Sequence, residues 1–406
     1  MLSPNTVDIY SRYMDELFDE KEIINVDTVF QQFFGKPAFG GSKTIYSPDS
    51  EVVEIDIMRG NERLAALIHR GTNSRFLNMM SNTATQNYSS FSRVYPLAEE
   101  LGDITASQIL KRMGGENPYD QRPRIERLRE LAREHHLEHI RRYVRLFEVL
   151  AGLSLLGGQQ PAILGSANAD NWYDFRRNAA HIVQPTVPWN DPAADILGDL
   201  DAAIDLLRVN GHVRPNVMFM GGNVANVVLS DTVIQRFADI KGYSLVRVGP
   251  ENNPPSSLQA LIDAGADPIG RLTTPRGRTL WMFTYGAVFT DAAGNAEHYL
   301  PLETCFLAYY GARCDRYFGP AERLPIIPSD NAWYQEMFGM NMLTPVMPAN
   351  IKNVGAVVTP AMFYCDAYPA GDKKKVTIRT QSAPIFATTQ TDAFFTYHHC
   401  LGGSES

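Results

Sequence analysis

The closing stretch of the chain carries two strand patterns with a turn pattern between them. Val376-Thr377-Ile378-Arg379-Thr380 is followed by Gln381-Ser382-Ala383-Pro384 and then by Phe394-Phe395-Thr396-Tyr397. β-Branched and aromatic residues favour strands, whereas proline beside small polar residues is typical of turns. No catalytic motif lies in this stretch. The chain is therefore predicted to finish with a strand, a turn and a last aromatic strand.

Composition indicates a globular protein that is not a general nucleic-acid binder. The 406 residues are 44% hydrophobic, enough for a sizeable core in two or three domains or in one elaborated domain, and the net charge is -8. Neutralising phosphates requires a surplus of lysine and arginine, which this chain lacks. Four cysteines without CxxC or zinc spacing indicate reduced thiols. With no signal-peptide pattern and no apolar run of the ~20 residues that span a bilayer, we expect folding in the cytoplasm and no membrane partner.

Residues 1–43 are predicted to form a short helix, Val7–Phe18, followed by an extended arm. The arm carries Phe30, Phe33 and Phe34 and runs into a glycine- and proline-rich segment. An arm cannot bury these rings by itself, so another surface must cover them. That surface belongs either to the arm's own domain or to a neighbouring chain.

The segment Arg59–Arg93 is basic within an acidic chain. Its arginines, among them Arg63, Arg70 and Arg75, outnumber its one acidic residue, Glu62. A long polar loop of this kind is usually functional or mobile. A solvated surface hairpin is the alternative.

Gln121–Leu156 has the longest helical pattern, opened by Pro123 and closed by Gly157-Gly158. Its acidic residues form an i,i+4 ridge with arginines three or four positions away: Glu126, Glu130, Glu134 and Glu138. Each exposed pair of this kind adds only ~0.2–0.5 kcal/mol. The segment is either a solvated helix held by local pairs or a long charged spine on a wall built from many subunits.

From residue 191 onward the pattern alternates between α and β. We expect a helix from Asp191-Pro192 to near Gly211 and a buried strand at Val217–Met220. Further short helices and strands are expected up to Leu300, among them a strand at Leu245–Val248 and the strands Thr279–Tyr285 and Glu297–Leu300 around a turn at Ala293-Gly294. Residues 325–359 are rich in proline, methionine and asparagine and are predicted to be irregular.

His135, Glu138 and His139 fit the inverted zinc-protease pattern H-x-x-E-H. On a helix the two histidines would share a face, and Glu138 could act on a metal-bound water. The pattern is short, lies among many charges and lacks an obvious third ligand, so a charged helical surface is the favoured interpretation. Gly221-Gly222, which could approach a phosphate, is interpreted as a tight strand-to-helix turn.

In their order along the chain, several segments resemble the lambda-type major capsid proteins of tailed phages, the family named for capsid protein E. They are Val29–Phe34, the basic loop, the arginine-rich helix from Arg122, Pro188–Pro192, Tyr299–Pro301 and Gln381–Pro384. The resemblance implies an α+β chain with the Hong Kong 97-type capsid fold. It implies an N-terminal arm (1–43), a peripheral domain (44–190) with an extended loop (59–93) and a spine helix (121–156), an axial domain (191–308) and a C-terminal part of the peripheral domain (309–406).

The resemblance also implies a function: a structural protein, not an enzyme, that assembles as hexamers and pentamers into the icosahedral head around phage DNA. The alternative is a zinc hydrolase using His135, Glu138 and His139. Expected partners are other copies, a separate scaffolding protein, a portal, a decoration protein and DNA bound without sequence specificity; no cofactor or metal is expected. The hypothetical interface has Arg63, Arg70 and Arg75 docking on the Glu126–Glu138 ridge of a neighbour, which also covers Phe30, Phe33 and Phe34.

Overall fold

The computed structural model describes residues 26–35, 42–47, 52–58, 88–105, 124–162, 172–234, 255–291, 294–320, 363–369 and 375–402. These ranges contain α1 (Arg124–Gly157), α2 (Ile196–Asn210), α3 (Gly222–Ser230) and α4 (Gln259–Asp263), besides short 3₁₀ turns such as Phe30–Phe33. The strands are β1 (Thr44–Tyr46), β2 (Val52–Met58), β3 (Tyr88–Val94), β4 (Ala98–Thr105), β5 (Gln159–Pro161), β6 (Trp172–Asp174), β7 (Ile182–Val183), β8 (Val217–Met220), β9 (Asp267–Thr273), β10 (Thr279–Thr284), β11 (Val288–Thr290), β12 (Ala296–His298), β13 (Cys305–Ala308), β14 (Asp315–Phe318), β15 (Tyr364–Pro369), β16 (Lys375–Ser382), β17 (Pro384–Ala387) and β18 (Phe394–Tyr397).

The largest sheet has six strands in the order β7-β18-β13-β8-β10-β9. The pairs β7/β18 and β8/β10 are parallel, and the other pairs are antiparallel. Every residue of β8, β13 and β18 is buried. Because successive side chains of a strand point to opposite faces, Phe219 and Phe306 pack on one side, and Met218 and Leu307 pack on the other. The sheet therefore has a core on each face.

Helices cover both faces of this sheet. On one face lie the Phe30–Phe33 turn, the C-terminal half of α1 and α4, and on the other face lie α2 and α3. A smaller cluster is built on β2, β6, β14 and β17. The sheet also takes β7 and β18 from outside the range 191–308 that the resemblance gives to the axial domain. The strands of this sheet therefore do not come from one contiguous stretch of sequence.

The predicted helices agree with the structure to within a few residues. The helix predicted at Gln121–Leu156 is observed as α1, with 34 residues and a length of roughly 50 Å. The helix expected from Asp191-Pro192 to near Gly211 is α2, but it begins later, at Ile196, because Asp195 rather than Asp191 is its N-cap and accepts from Gly198 N at 2.9 Å. The predicted helix at Val7–Phe18, the strand at Leu245–Val248 and the irregular segment 325–359 lie outside the described residues.

The predicted turn at Gln381–Pro384 is wrong. β16 continues through Gln381 and Ser382, because its ladder with β4 extends to Ser382 opposite Ala98. Only Ala383 breaks the extended chain, which then enters another sheet as β17 beside β14. The flanking strand predictions are confirmed, and β18 lies inside the six-stranded sheet between β7 and β13.

The C-terminal end of α1 is tied to the six-stranded sheet. Arg177 Nη1 donates to Leu156 O at 3.0 Å, and Thr396 Oγ1 of β18 donates to the same carbonyl at 2.8 Å. The last carbonyls of a helix have no intrahelical hydrogen-bond partner. These two donors therefore satisfy the Leu156 carbonyl, which would otherwise have no partner inside the protein. Gly158, at φ 67°, lets the chain turn directly into β5.

Three cysteines, Cys305, Cys314 and Cys400, are free and buried.

The predicted strand at Glu297–Leu300 is observed as β12, and it pairs with β11 rather than with β10. Within the described part of the chain, no helix is both long and apolar enough to cross a bilayer.

Candidate functional site

The structure places Phe30, Phe33 and Phe34 inside the core of their own subunit. Their side chains are 0%, 2% and 1% exposed in the isolated chain. The prediction that a neighbouring subunit covers them is therefore wrong, and the intradomain alternative is the one observed. The physical reason is that the six-stranded sheet presents a wide aromatic face, which the short 3₁₀ turn Phe30–Phe33 fills.

The ring geometry fixes this turn closely. Phe30 meets Tyr285 edge-on with ring centroids 5.3 Å apart, and Phe33 meets Tyr310 at 5.0 Å. Phe34 meets Phe386 of β17 at 5.2 Å. Edge-to-face pairs add about 0.5–1.5 kcal/mol each beyond the area they bury. The arm segment is thus an integral part of the fold.

A buried carboxylate on α1 holds the same segment. Glu148 is 0% exposed, and its Oε1 accepts from Phe30 N at 2.7 Å and from Tyr285 Oη at 3.0 Å. Its Oε2 accepts from Gln31 N at 3.1 Å. The Gln31 side chain completes the joint by donating to Val144 O at 3.0 Å. We call the set Phe30, Gln31, Glu148 and Tyr285 the arm latch.

The electrostatics of the arm latch are dominated by burial. Burial raises the pKa of Glu148 to about 7, although the hydrogen bonds from Phe30, Gln31 and Tyr285 lower it in part. The same burial, with Glu148 nearby, raises the pKa of Tyr285 far above its ordinary value. Glu148 consequently changes protonation near neutral pH, where an exposed glutamate does not.

Sequence reasoning missed Glu148. In a helix full of glutamate and arginine it looks like one more solvated charge. One signal was available: Glu148 follows Phe147 and stands four residues after Val144 and three before Ala151, within the apolar stripe of the helix. A charge on an apolar stripe indicates a buried partner.

The acidic ridge of α1 is exposed where the structure describes its side chains. Glu138 lies 3.5 Å from Arg142 and 3.8 Å from Arg141, and Arg142 reaches Glu100 of β4 at 3.1 Å. Such exposed pairs contribute about 0–1 kcal/mol. These ion pairs therefore matter for the charge pattern of the helix surface and contribute little to the free energy of folding.

The other residues of the hypothetical interface are not placed. Glu126 and Glu130 lie in the first turns of α1, where only the backbone is described. Arg63, Arg70 and Arg75 lie outside the described residues. The docking of this loop on the ridge stays a prediction.

The H-x-x-E-H residues serve packing and local ion pairs. His135 and His139 share a face of α1 and both lie against Gly102 of β4. His139 is buried, and its Nδ1 is 3.1 Å from Thr380 Oγ1. Burial lowers its pKa. Glu138 instead contacts the arginines of the ridge. Among the described residues, no three metal-ligating side chains gather here or elsewhere.

The glycine pair Gly221-Gly222 forms the tight turn that its sequence predicts. Gly221 is the N-cap of α3, and a Cβ there would overlap the carbonyl oxygens of Pro301 and Leu302. The close neighbour of this glycine is therefore the chain's own backbone.

The architecture defines the class of fold: a Hong Kong 97-type phage capsid fold, α+β, with a long helix and an α/β unit covered on both faces. The basis is the likeness to a crystal structure from E. coli CFT073 described as the "putative capsid protein of prophage". The two share 16% identity over 96% of this chain and 98% of the other, with a TM-score of 0.58.

Two further solved structures are similar at lower scores. A phage-related protein from Bordetella bronchiseptica RB50 matches over 92% of both chains at 10% identity and a TM-score of 0.44. The capsid of Ralstonia phage GP4 matches over 92% of this chain and 91% of the other, at 11% identity and a TM-score of 0.43. No family model matches the sequence, and no curated protein matches it.

Proposed function

We propose that this chain is a major capsid protein that assembles as hexamers and pentamers into an icosahedral head shell around phage DNA. One observation carries the proposal: the likeness to the protein described as a prophage capsid protein spans 96% of this chain and 98% of the other. It therefore concerns the whole fold rather than a unit that unrelated proteins share.

The charge of the chain supports a wall rather than a nucleic-acid-binding protein. With a net charge of -8, the subunit as a whole repels DNA, so packaged DNA would not adhere strongly to the shell. The DNA is held inside by enclosure and without sequence specificity.

Rings of identical subunits are built from heterologous contacts, in which two different surfaces of one chain meet. The opposite charges of the basic segment Arg59–Arg93 and the acidic ridge of α1 support a contact of this kind. In the proposed shell Arg63, Arg70 and Arg75 dock on the ridge of the neighbouring subunit. Such contacts set orientation and the rate of encounter more than affinity.

The remaining partners follow from the same proposal. A separate scaffolding protein directs assembly in the host cytoplasm, a portal occupies one vertex, and a decoration protein binds the finished shell. The protein ends in the virion, where its role is structural and not catalytic.

Sedimentation velocity of the purified chain, alone and co-produced with the proteins encoded beside it, tests the proposal. We expect rings of five and six copies and larger closed particles. A single small oligomer under both conditions would contradict the proposed function.

A further inference from the structure

Four arginines converge on a pocket of about 270 Å³ between α2 and the β9–β10 turn. It is lined by Ile204, Arg208, Arg214, Arg276, Gly277 and Arg278. Pockets for drug-sized ligands measure ≈ 300–1,000 Å³, so this one suits a small anionic group. The sequence pattern does not predict this pocket, because its arginines come from a helix end, a loop and a hairpin turn.

Two of the arginines are held by aspartates of α2. Arg276 Nη1 lies 2.7 Å from Asp205 Oδ2, and Arg278 Nη2 bonds the other oxygen of Asp205. Arg278 Nη1 also donates to Asp201 O at 2.9 Å. The hydrogen bond from Arg278 is the main reason that the pKa of Asp205 lies below its ordinary value. These contacts fix the hairpin turn against the helix and so shape the pocket.

The other two arginines leave the pocket positively charged. Arg208 and Arg214 are exposed and form no ion pair with a described residue. Among the described residues, Asp201 and Asp205 are the acidic side chains that pair with these arginines, which leaves an excess of two positive charges within that set. Arg208, in the last turn of α2, also complements the helix dipole, but Arg214 lies in a loop where that reason does not apply.

We propose that this pocket is an oxyanion site that takes the carboxylate of an acidic side chain from a second copy of the chain. Guanidinium forks match carboxylate and phosphate equally well, so charge and shape decide between them. A single carboxylate brings one negative charge into a pocket that already holds Asp205, whereas a DNA phosphate is one of a dense row. A protruding side chain also enters a recess more readily than a duplex backbone.

The source of the carboxylate follows from composition, and this step rests on the proposed function. The chain has 45 acidic against 37 basic residues, so a neighbouring copy is net acidic and can supply a carboxylate. A pocket with excess positive charge on such a subunit is complementary to the next copy.

The test compares Arg214→Glu with Arg176→Glu, which reverses the same charge at another exposed arginine. Wild type and both variants are followed by sedimentation and electron microscopy, with circular dichroism to verify folding. We expect Arg214→Glu to raise the protein concentration needed for assembly at least tenfold and Arg176→Glu to leave it unchanged. The neutral double variant Arg208→Gln/Arg214→Gln should show the same direction of change with the fold intact.

Assembly of Arg214→Glu and of the double variant at wild-type concentrations would overturn the inference. If the variants assemble normally but lose binding of a short DNA duplex that wild type shows, the pocket takes phosphate, and the carboxylate proposal is likewise wrong. Failure of the wild type to assemble, both alone and co-produced with the proteins encoded beside it, would contradict the proposed function, which separates the two outcomes.

Discussion

At the scale of single residues, Glu148 has the largest consequence. It is a fully buried carboxylate that joins α1 to the arm through two backbone amides and the Tyr285 hydroxyl. Desolvation favours its neutral form, which is why its pKa rises from 4.5 to about 7. The arm latch is thus sensitive to pH in the neutral range.

Because of Glu148, the free energy of unfolding falls as pH rises from about 4.5 to about 7. Its folded-state pKa is raised, so the folded state holds a proton that the unfolded state releases between pH 4.5 and about 7. The contribution is complete below pH 4.5, is lost as pH rises through about 7, and amounts to roughly 3 kcal/mol. Urea unfolding of the unassembled chain between pH 5 and 8 should show this fall in stability.

Glu148→Gln should remove that component of the pH dependence, because the amide stands in for the protonated acid and does not titrate. The buried histidines His139 and His181 have lowered pKa values and act in the opposite direction, so the difference between variant and wild type is the quantity to compare. Glu54→Gln, at an exposed position of β2, serves as the control. Identical pH dependence in wild type and Glu148→Gln would refute this account.

Tyr285→Phe tests the hydroxyl of the arm latch. Loss of the 3.0 Å hydrogen bond to Glu148 should cost about 1–2 kcal/mol in the free energy of unfolding. Because this donor lowers the pKa of Glu148, its removal should also move the pH midpoint of stability upward. Tyr299→Phe, beside it at a centroid distance of 5.9 Å, removes a hydroxyl that does not bond Glu148. An unmoved midpoint in Tyr285→Phe would show that the hydroxyl does not act on Glu148.

At the scale of elements, the arm segment behaves as a core element. Phe33→Ala should lower the free energy of unfolding of the unassembled subunit by about 3–5 kcal/mol, since the ring is 2% exposed and no neighbour is needed to bury it. Gln32→Ala, on the same turn and only partly buried, should cost much less. A Phe33→Ala subunit that is as stable as wild type but fails to assemble would contradict this result. It would support the prediction that a neighbouring subunit covers the arm.

The glycine pair before α3 offers a second comparison between adjacent positions. Gly221→Ala should destabilise by several kcal/mol, because its Cβ would overlap the backbone of Pro301 and Leu302, which cannot move aside easily. Gly222→Ala places its Cβ 3.7 Å from Leu302 Cδ2 and favours the helix, so it should be neutral or stabilising. Thermal unfolding of the two variants measures the difference. Equal stability would show that the backbone contact at Gly221 is unimportant.

Local patterns predicted the elements but not their partners. Helix α1 follows from apolar periodicity between Pro123 and Gly157-Gly158, and β8 follows from its apolar run. The turn at Gln381–Pro384 was wrong because β16 is kept extended by β4, far away in the sequence. Likewise, the pairing of β18 with β7 and β13 depends on long-range contacts that no local pattern carries.

The same limit applies to the candidate site. The aromatic arm was found from its composition, but which surface covers Phe30 depends on the sheet face formed by β8, β10 and β13. The pocket arginines Arg208, Arg214, Arg276 and Arg278 come together only in the folded chain, and each alone looks like an ordinary surface charge.

At the scale of the whole molecule, the chain has a Hong Kong 97-type fold, and we propose that its copies meet through oppositely charged segments. The fold is stable within one chain, because its sheet has a core on each face and its arm is anchored internally. The interfaces proposed here use charged features, namely the Arg214 pocket and the basic segment Arg59–Arg93. Charged contacts of this kind weaken with salt, so assembly should be less favourable at high ionic strength.

The most direct test of the central claim is negative-stain electron microscopy of the purified, concentrated protein at moderate salt, alone and co-produced with the proteins encoded beside it. We expect closed shells, or rings of five and six subunits where closure is incomplete. Uniform small particles under both conditions would contradict it.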